Sequence, residues 1–294
     1  MKRTILKLAR PIVLPLNEWF LSKYYKRQLP LTEIKAERIL VLAPHVDDET
    51  IGLGGTILSL AEQGKDVHCI YITDGAKSVS TDSKEVLIQK RRKEARQVKD
   101  ILGMTSISFF DEPDGQVTVH NEFVNQLIDY VNQFQPEIIF CPTFVDCHSD
   151  HVQTGMALAS ALREISYEGQ VWCYEINCPI DPNSLNAVVD ITKYQQKKEE
   201  AIDVFQSQAI DFDGFVYLSK VKTNLLKDPK EVQFVESFLV QSFDQFSKRA
   251  ETLAQKNTSY SSLFKQVNKT ETLLWGVYQN REKKKQLYDL LEGL

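Results

Sequence analysis

Between residues 38 and 176, short continuous apolar runs alternate with amphipathic stretches of helical period, and few folds accommodate that rhythm. Arg38 to Ala43 reads as a buried strand ending at Pro44. Val67 to Thr73, Ser106 to Phe110, Glu137 to Cys141 and Val171 to Ile176 read as four more. Between them, Gly54 to Ala61 reads as a helix stopped by Gly64, and residues 84–102 as a charged helix closed by Gly103. Residues 121–134 carry Phe123, Val124, Leu127, Ile128 and Val131 on one stripe, and a further helix carries Val152, Met156, Ala159 and Leu162. Strands alternating with helices of this length imply βαβ units, hence an α/β, Rossmann-like, mostly parallel sheet with flanking helices. Residues 220–294 read as packing helices, with Val235, Phe238, Leu239 and Phe246 on one and Leu287, Leu290 and Leu291 on the last. The division expected is a basic arm over 1–36, the α/β domain over 37–240 and a helical C-terminal extension over 241–294.

Sheets of this kind bind ligands at the carboxyl ends of their strands. The two richest polar clusters each directly follow a strand there. Pro44-His45-Val46-Asp47-Asp48-Glu49 follows the first, and Asp146-Cys147-His148-Ser149-Asp150-His151 follows the fourth. Three of the chain's five histidines fall in these two loops. A zinc hydrolase needs three protein ligands with an open position, a carboxylate that takes a proton from water, and a group that stabilises an oxyanion. The two loops supply these residue types. Taken singly, His45 and Asp48 could be a capping pair, and His148 and His151 ordinary loop residues. Their coincidence at two strand ends points to a metal site.

Composition bounds the partners. Forty acidic against 35 basic residues give a net charge of −5, which argues against a nucleic-acid binder. Five cysteines, an odd number without a Cys-x-x-Cys pair, fit a reducing cytoplasm. No stretch approaches the roughly 18 apolar residues of a membrane span, and charges and prolines interrupt the N-terminus where a secretory signal would be apolar. The arm is the exception to the acidity: residues 1–28 carry seven Lys and Arg against one Glu, interleaved with Ile, Leu, Trp and Tyr. It reads either as a peripheral membrane contact or as an arm packed on the domain or the C-terminal helices. Pro11 and Pro15, which should break a continuous amphipathic helix, weigh toward packing.

With both clusters in hand, the chain resembles the PIG-L/LmbE-like N-deacetylases. Pro-His-Val-Asp-Asp-Glu and His-Ser-Asp-His carry the resemblance. Thr73-Asp74-Gly75, Arg91 with Glu94 before Leu102-Gly103, Asp114-Gly115, and Lys198, Ala201 and Ser207-Gln208 extend it in order over about residues 37–240. The resemblance implies an N-deacetylase acting on an amino sugar or glycoconjugate of N-acetylglucosamine type. It implies zinc or another divalent metal held by His45, Asp48 and His151, and Asp47 as general base. His148 becomes oxyanion stabiliser and general acid, and Asp150 a carboxylate that orients a histidine. Arg91 and Asp114 become substrate contacts, although a helix salt bridge and a turn explain them equally well. Val46 and Ser149 replace usual prolines, Ala76 replaces a common Glu, and Asp146 stands where some relatives carry a tyrosine; these departures bear on substrate choice.

Three other readings compete. A dinucleotide site is disfavoured because Gly52-x-Gly54-Gly55 is not Gly-x-Gly-x-x-Gly and Asp47-Asp48-Glu49 would repel a pyrophosphate. A two-His-one-carboxylate iron enzyme leaves Asp47 without a role. A non-catalytic glycan- or lipid-associated module would not need every motif acid.

Overall fold

The computed structural model describes residues 10–77, 82–207, 211–255 and 263–292. Its elements run α1 (Arg10–Tyr24), β1 (Arg38–Ala43), α2 (Asp48–Glu62), β2 (Asp66–Thr73), α3 (Lys84–Leu102), β3 (Ser106–Glu112), α4 (Asn121–Phe134), β4 (Ile138–Pro142), α5 (Ser149–Glu164) and β5 (Gln170–Tyr174). There follow β6 (Ala187–Asp190), α6 (Gln195–Ile202), α7 (Asp213–Val221), β7 (Val235–Ser242), α8 (Phe243–Ala254), α9 (Leu273–Tyr278) and α10 (Arg281–Glu292). The strands form one sheet in the order β3-β2-β1-β4-β5-β7-β6. Strands β1 to β5 are parallel, and β7 is antiparallel to both β5 and β6. The α/β reading of the sequence therefore stands.

The chain winds outward from β1 to β3, then returns to lay β4 on the other side of β1. The crevice between the carboxyl ends of β1 and β4 is thus the switch point where such sheets bind ligands. Both polar clusters begin there. Strands β1 and β4 are buried on both faces, as their unbroken apolar runs require.

Three readings need correction. Val235, Phe238 and Leu239 lie on β7, not on a helix. Their spacing matches a helical stripe, but the segment is inserted between β5 and β6 and buries both faces, so it lacks the alternation that marks a half-exposed strand. Phe246 alone of that set is helical, on α8. The first crossover helix begins at Asp48, not Gly54, and is kinked at Leu53 (φ −150°, ψ 22°). Finally, α1 is continuous through Pro15, which removes only the N–H that would have bonded the carbonyl of Pro11. One face of α1 is fixed in place: Leu21 and Tyr25 are fully buried, Asn17 Nδ2 donates to Thr270 O (2.8 Å), and Arg10 pairs with Asp213 and Glu271. No described helix is long and apolar enough to cross a membrane.

Candidate active site

The loop after β1 turns sharply at Asp47 (φ 143°), so that His45, Asp47 and Asp48 all reach the crevice. Thr73, at the end of β2, clamps this loop by donating its N–H (3.0 Å) and its hydroxyl (2.8 Å) to Pro44 O. The neighbouring Gly75 has φ +68°, and a side chain there would strike Arg91. The Thr-x-Gly motif is thereby explained as loop support. Across the crevice, His148 caps α5 and leaves Asp150 and His151 in its first turn, with His151 three residues on and turned inward.

Three atoms form a nearly equilateral triangle. His45 Nδ1 lies 3.2 Å from Asp48 Oδ2 and 3.3 Å from His151 Nε2, and His151 Nε2 lies 3.3 Å from Asp48 Oδ2. Ligands at about 2.0–2.1 Å from a tetrahedral zinc are separated by about 3.3 Å, so this trio could hold such an ion with one position open. His148 brings a ring nitrogen within 4.8 Å of nitrogens on both other histidines. Its Nδ1, however, already accepts the Asp150 N–H (3.3 Å), which leaves His148 beside the triangle with Nε2 as its N–H donor.

The far side of each histidine of the triangle is also engaged. His45 Nε2 faces Asp150 Oδ2 (3.2 Å) and Asp114 Oδ1 (3.4 Å). Asp150 is fixed by the N–H groups of Gly115 (2.6 Å) and Val117 (3.2 Å), which accounts for the Asp114-Gly115 turn. His151 Nδ1 faces Asp146 Oδ1 (3.4 Å), and Asp146 accepts the N–H of His148 and both N–H and Nδ2 of Asn177. Such carboxylate–imidazole contacts fix the ring orientation of metal-binding histidines. Sequence reading missed Asp146 in this role; its signal was only a buried-type acid five residues before His151.

The charges are consistent with a cation-seeking centre. Burial disfavours charge on both histidines, yet the surrounding carboxylates outweigh it: His151 is pushed up to about 10 and His45 well above its ordinary value. Burial raises Asp48, but His151 and His45 more than offset this and hold it below the usual carboxylate range. Burial, with Asp48 adjacent, pushes Asp47 well above that range, and Arg91 and His45 oppose the shift. Burial, reinforced by His45 and His151, brings His148 down to about 4, so it is neutral at neutral pH.

The crevice opens into a cavity of about 540 Å³. Asp47, Arg91, Asp114 and His148 all line it, as do Lys77, Phe215 on α7 and Gln266, the last from the stretch that the sequence assigns to packing. Gln266 Nε2 donates to Asn177 Oδ1 (2.5 Å), joining the C-terminal region to the loop after β5. Asp114 is committed to His45 and to the Lys77 N–H (2.9 Å), which makes it a support of the histidine before it is a substrate contact. Lys198 and Ser207 are structural: Lys198 pairs with buried Glu236, and Ser207 with Glu94 on α3. Gln208 lies outside the described residues. A larger hollow of about 800 Å³ at the opposite edge of the sheet is lined by no histidine.

The fold agrees with known proteins. Residues 40–162 match the family described as PIG-L: GlcNAc-PI de-N-acetylase. The diacetylchitobiose deacetylase of Thermococcus kodakarensis is 28% identical over 204 residues, 63% of this chain and 74% of that protein. The 4-oxalmesaconate hydratase of Pseudomonas putida is 27% identical over 192 residues, 58% of this chain and 73% of its own length. The N,N'-diacetylchitobiose deacetylase structure from Pyrococcus horikoshii superimposes with a TM-score of 0.61 at 24% identity, over 84% of this chain and 94% of that one, and so shares the fold. Residues 40–162, the stretch that matches the PIG-L family, carry both histidine clusters, one directly after β1 and one in the loop after β4 and the start of α5.

Proposed function

We propose that this chain is a metal-dependent hydrolase that removes the N-acetyl group from an N-acetylglucosamine-type sugar or glycoconjugate. The observation that carries the reading is the triangle of His45, Asp48 and His151, with Asp47 and His148 lining the same cavity. The family match and the deacetylase relative supply the substrate class. Zinc suits a donor set of two imidazoles and a carboxylate, and five cysteines without a disulfide suit the cytoplasm.

When bound, the ion supplies a Lewis acid that polarises the acyl carbonyl and makes water acidic enough to ionise near neutral pH. The remaining work falls to side chains. Asp150 and Asp114 hold the His45 ring, and Asp146 holds His151. Asp47 accepts the proton of the attacking water. His148 donates Nε2–H to the oxygen on which negative charge develops. The resemblance gives His148 the acid's task as well. Its low basicity instead suits hydrogen-bond donation and leaves Asp47 to return the proton to the departing amine.

The experiment is incubation of the purified, zinc-supplemented protein with N,N'-diacetylchitobiose and other N-acetylglucosamine conjugates, followed by mass spectrometry. Loss of one acetyl group with release of acetate is the expected result. A product heavier by one water, from an unsaturated acid offered in parallel, would instead place the chain with its hydratase relative.

A further inference from the structure

Among the described residues, nothing covers the face of α1 that turns away from the protein. Ile12, Leu16, Trp19 and Phe20 recur at helical spacing along it, and all are exposed, Ile12 at 71% and Trp19 at 53%. They account for half of the eight large apolar side chains exposed among the described residues. The patch continues onto α9, where Tyr278 meets Phe20 (ring centroids 6.4 Å apart) and Trp275, one turn earlier, is 58% exposed.

Its charge identifies the partner. Lys23 continues the same stripe and sets its ammonium 3.4 Å from the Trp19 ring centroid, and Lys265 sits 3.7 Å over Trp275. The nine residues before α1 add Lys2, Arg3 and Lys7 with no acid, together with Ile5, Leu6 and Leu8. Glu18, the lone acid up to residue 28, is engaged by Tyr217 (3.0 Å) on the opposite side of the helix. An apolar stripe with tryptophans, flanked by cations on an otherwise acidic protein, matches the headgroup–acyl boundary of an anionic bilayer. We infer that α1 and Trp275 dock this protein onto an anionic membrane surface, a reading independent of the reaction it catalyses.

Flotation of the full-length protein with two vesicle types tests this: phosphatidylcholine alone, and phosphatidylcholine with phosphatidylglycerol at about two to one. Binding to the anionic vesicles alone is expected, with a blue shift of tryptophan emission, and it should weaken at about 1 M salt, where screening is nearly complete. Leu16→Ser/Trp19→Ser should lower binding by at least about tenfold with an unchanged thermal transition, since both residues are exposed. Val119→Ser, at an exposed apolar residue elsewhere, should bind like the wild type. The inference is overturned by absence of binding to anionic vesicles, or by an equal loss in Val119→Ser. It is also overturned by a concentration-dependent dimer that the double variant abolishes while vesicles capture nothing, which would make a second copy the occupant.

Discussion

Asp47 is the residue at which backbone and chemistry conflict. Its φ of 143° and ψ of −25° lie well outside the small left-handed region where Asp111, Gln135 and Asn280 sit. Such conformations cost about 1–3 kcal/mol and persist where surrounding structure enforces them. Here the enforcement comes from Thr73 on Pro44, and from Glu49, which accepts the Asp47 N–H. Asp47→Asn should lower kcat by about 100- to 10,000-fold while the metal is retained. Asp47→Gly should be equally inactive yet at least as stable to denaturant, because glycine relieves the strain; marked destabilisation would show the backbone to be unstrained. His148 gives a pH signature. Its folded value of about 4 lies below the 6.5 of a free imidazole, so only the unfolded chain takes up this proton between those values. Its contribution to stability is complete above pH 6.5 and is lost as pH falls toward 4. Denaturation of His148→Gln across that range should be flatter than wild type, and parallel curves would contradict the assignment.

At the scale of elements, the kink in α2 shows where sequence reading succeeds and where it stops. The helix expected over 54–61 is the segment beyond the kink at Leu53. The break is capped from outside: Glu236 on β7 accepts the N–H groups of Gly55 (2.9 Å) and Thr56 (2.7 Å), and Lys198 donates to Ile51 O (2.8 Å) and to Glu236 (2.7 Å). A helix restarted by a residue 181 positions away leaves no local signal. The five parallel strands were legible because each is a short apolar-rich run bounded by turn residues, and all but the half-buried β3 are largely buried. β7 was not, since burial on both faces erases the period. The two polar clusters were legible because each gathers its His and Asp side chains within six residues directly after a strand. Asp146, Asn177 and Gln266 act through contacts that only the folded chain creates. Glu236→Ala should cost about 3–5 kcal/mol in chemical denaturation, because it removes the charge partner of the buried Lys198 ammonium and leaves two buried N–H groups without an acceptor. A loss under about 1 kcal/mol would mean that water reaches this network.

Across the whole molecule, α1 and α10 both pack against the α/β domain and its C-terminal segment. α1 packs on the C-terminal segment through Asn17 and Arg10, and Tyr288 on α10 meets Thr143 (3.0 Å) in the loop that leads to Asp146. Deleting residues 1–28 should therefore lower the melting temperature by several degrees, since Leu21 and Tyr25 leave their buried sites. A deletion variant that melts with the wild type would mean that the arm contributes nothing to the core. If two strand ends build one metal centre on a preformed scaffold, metal content per chain reports it without reference to any substrate. Elemental analysis of purified wild type, Asp47→Asn and His151→Ala should find about one divalent ion per chain in the first two. It should find almost none in His151→Ala, with its fold intact by circular dichroism. Full occupancy in His151→Ala, or a zinc-supplemented wild type that retains no ion, would contradict it.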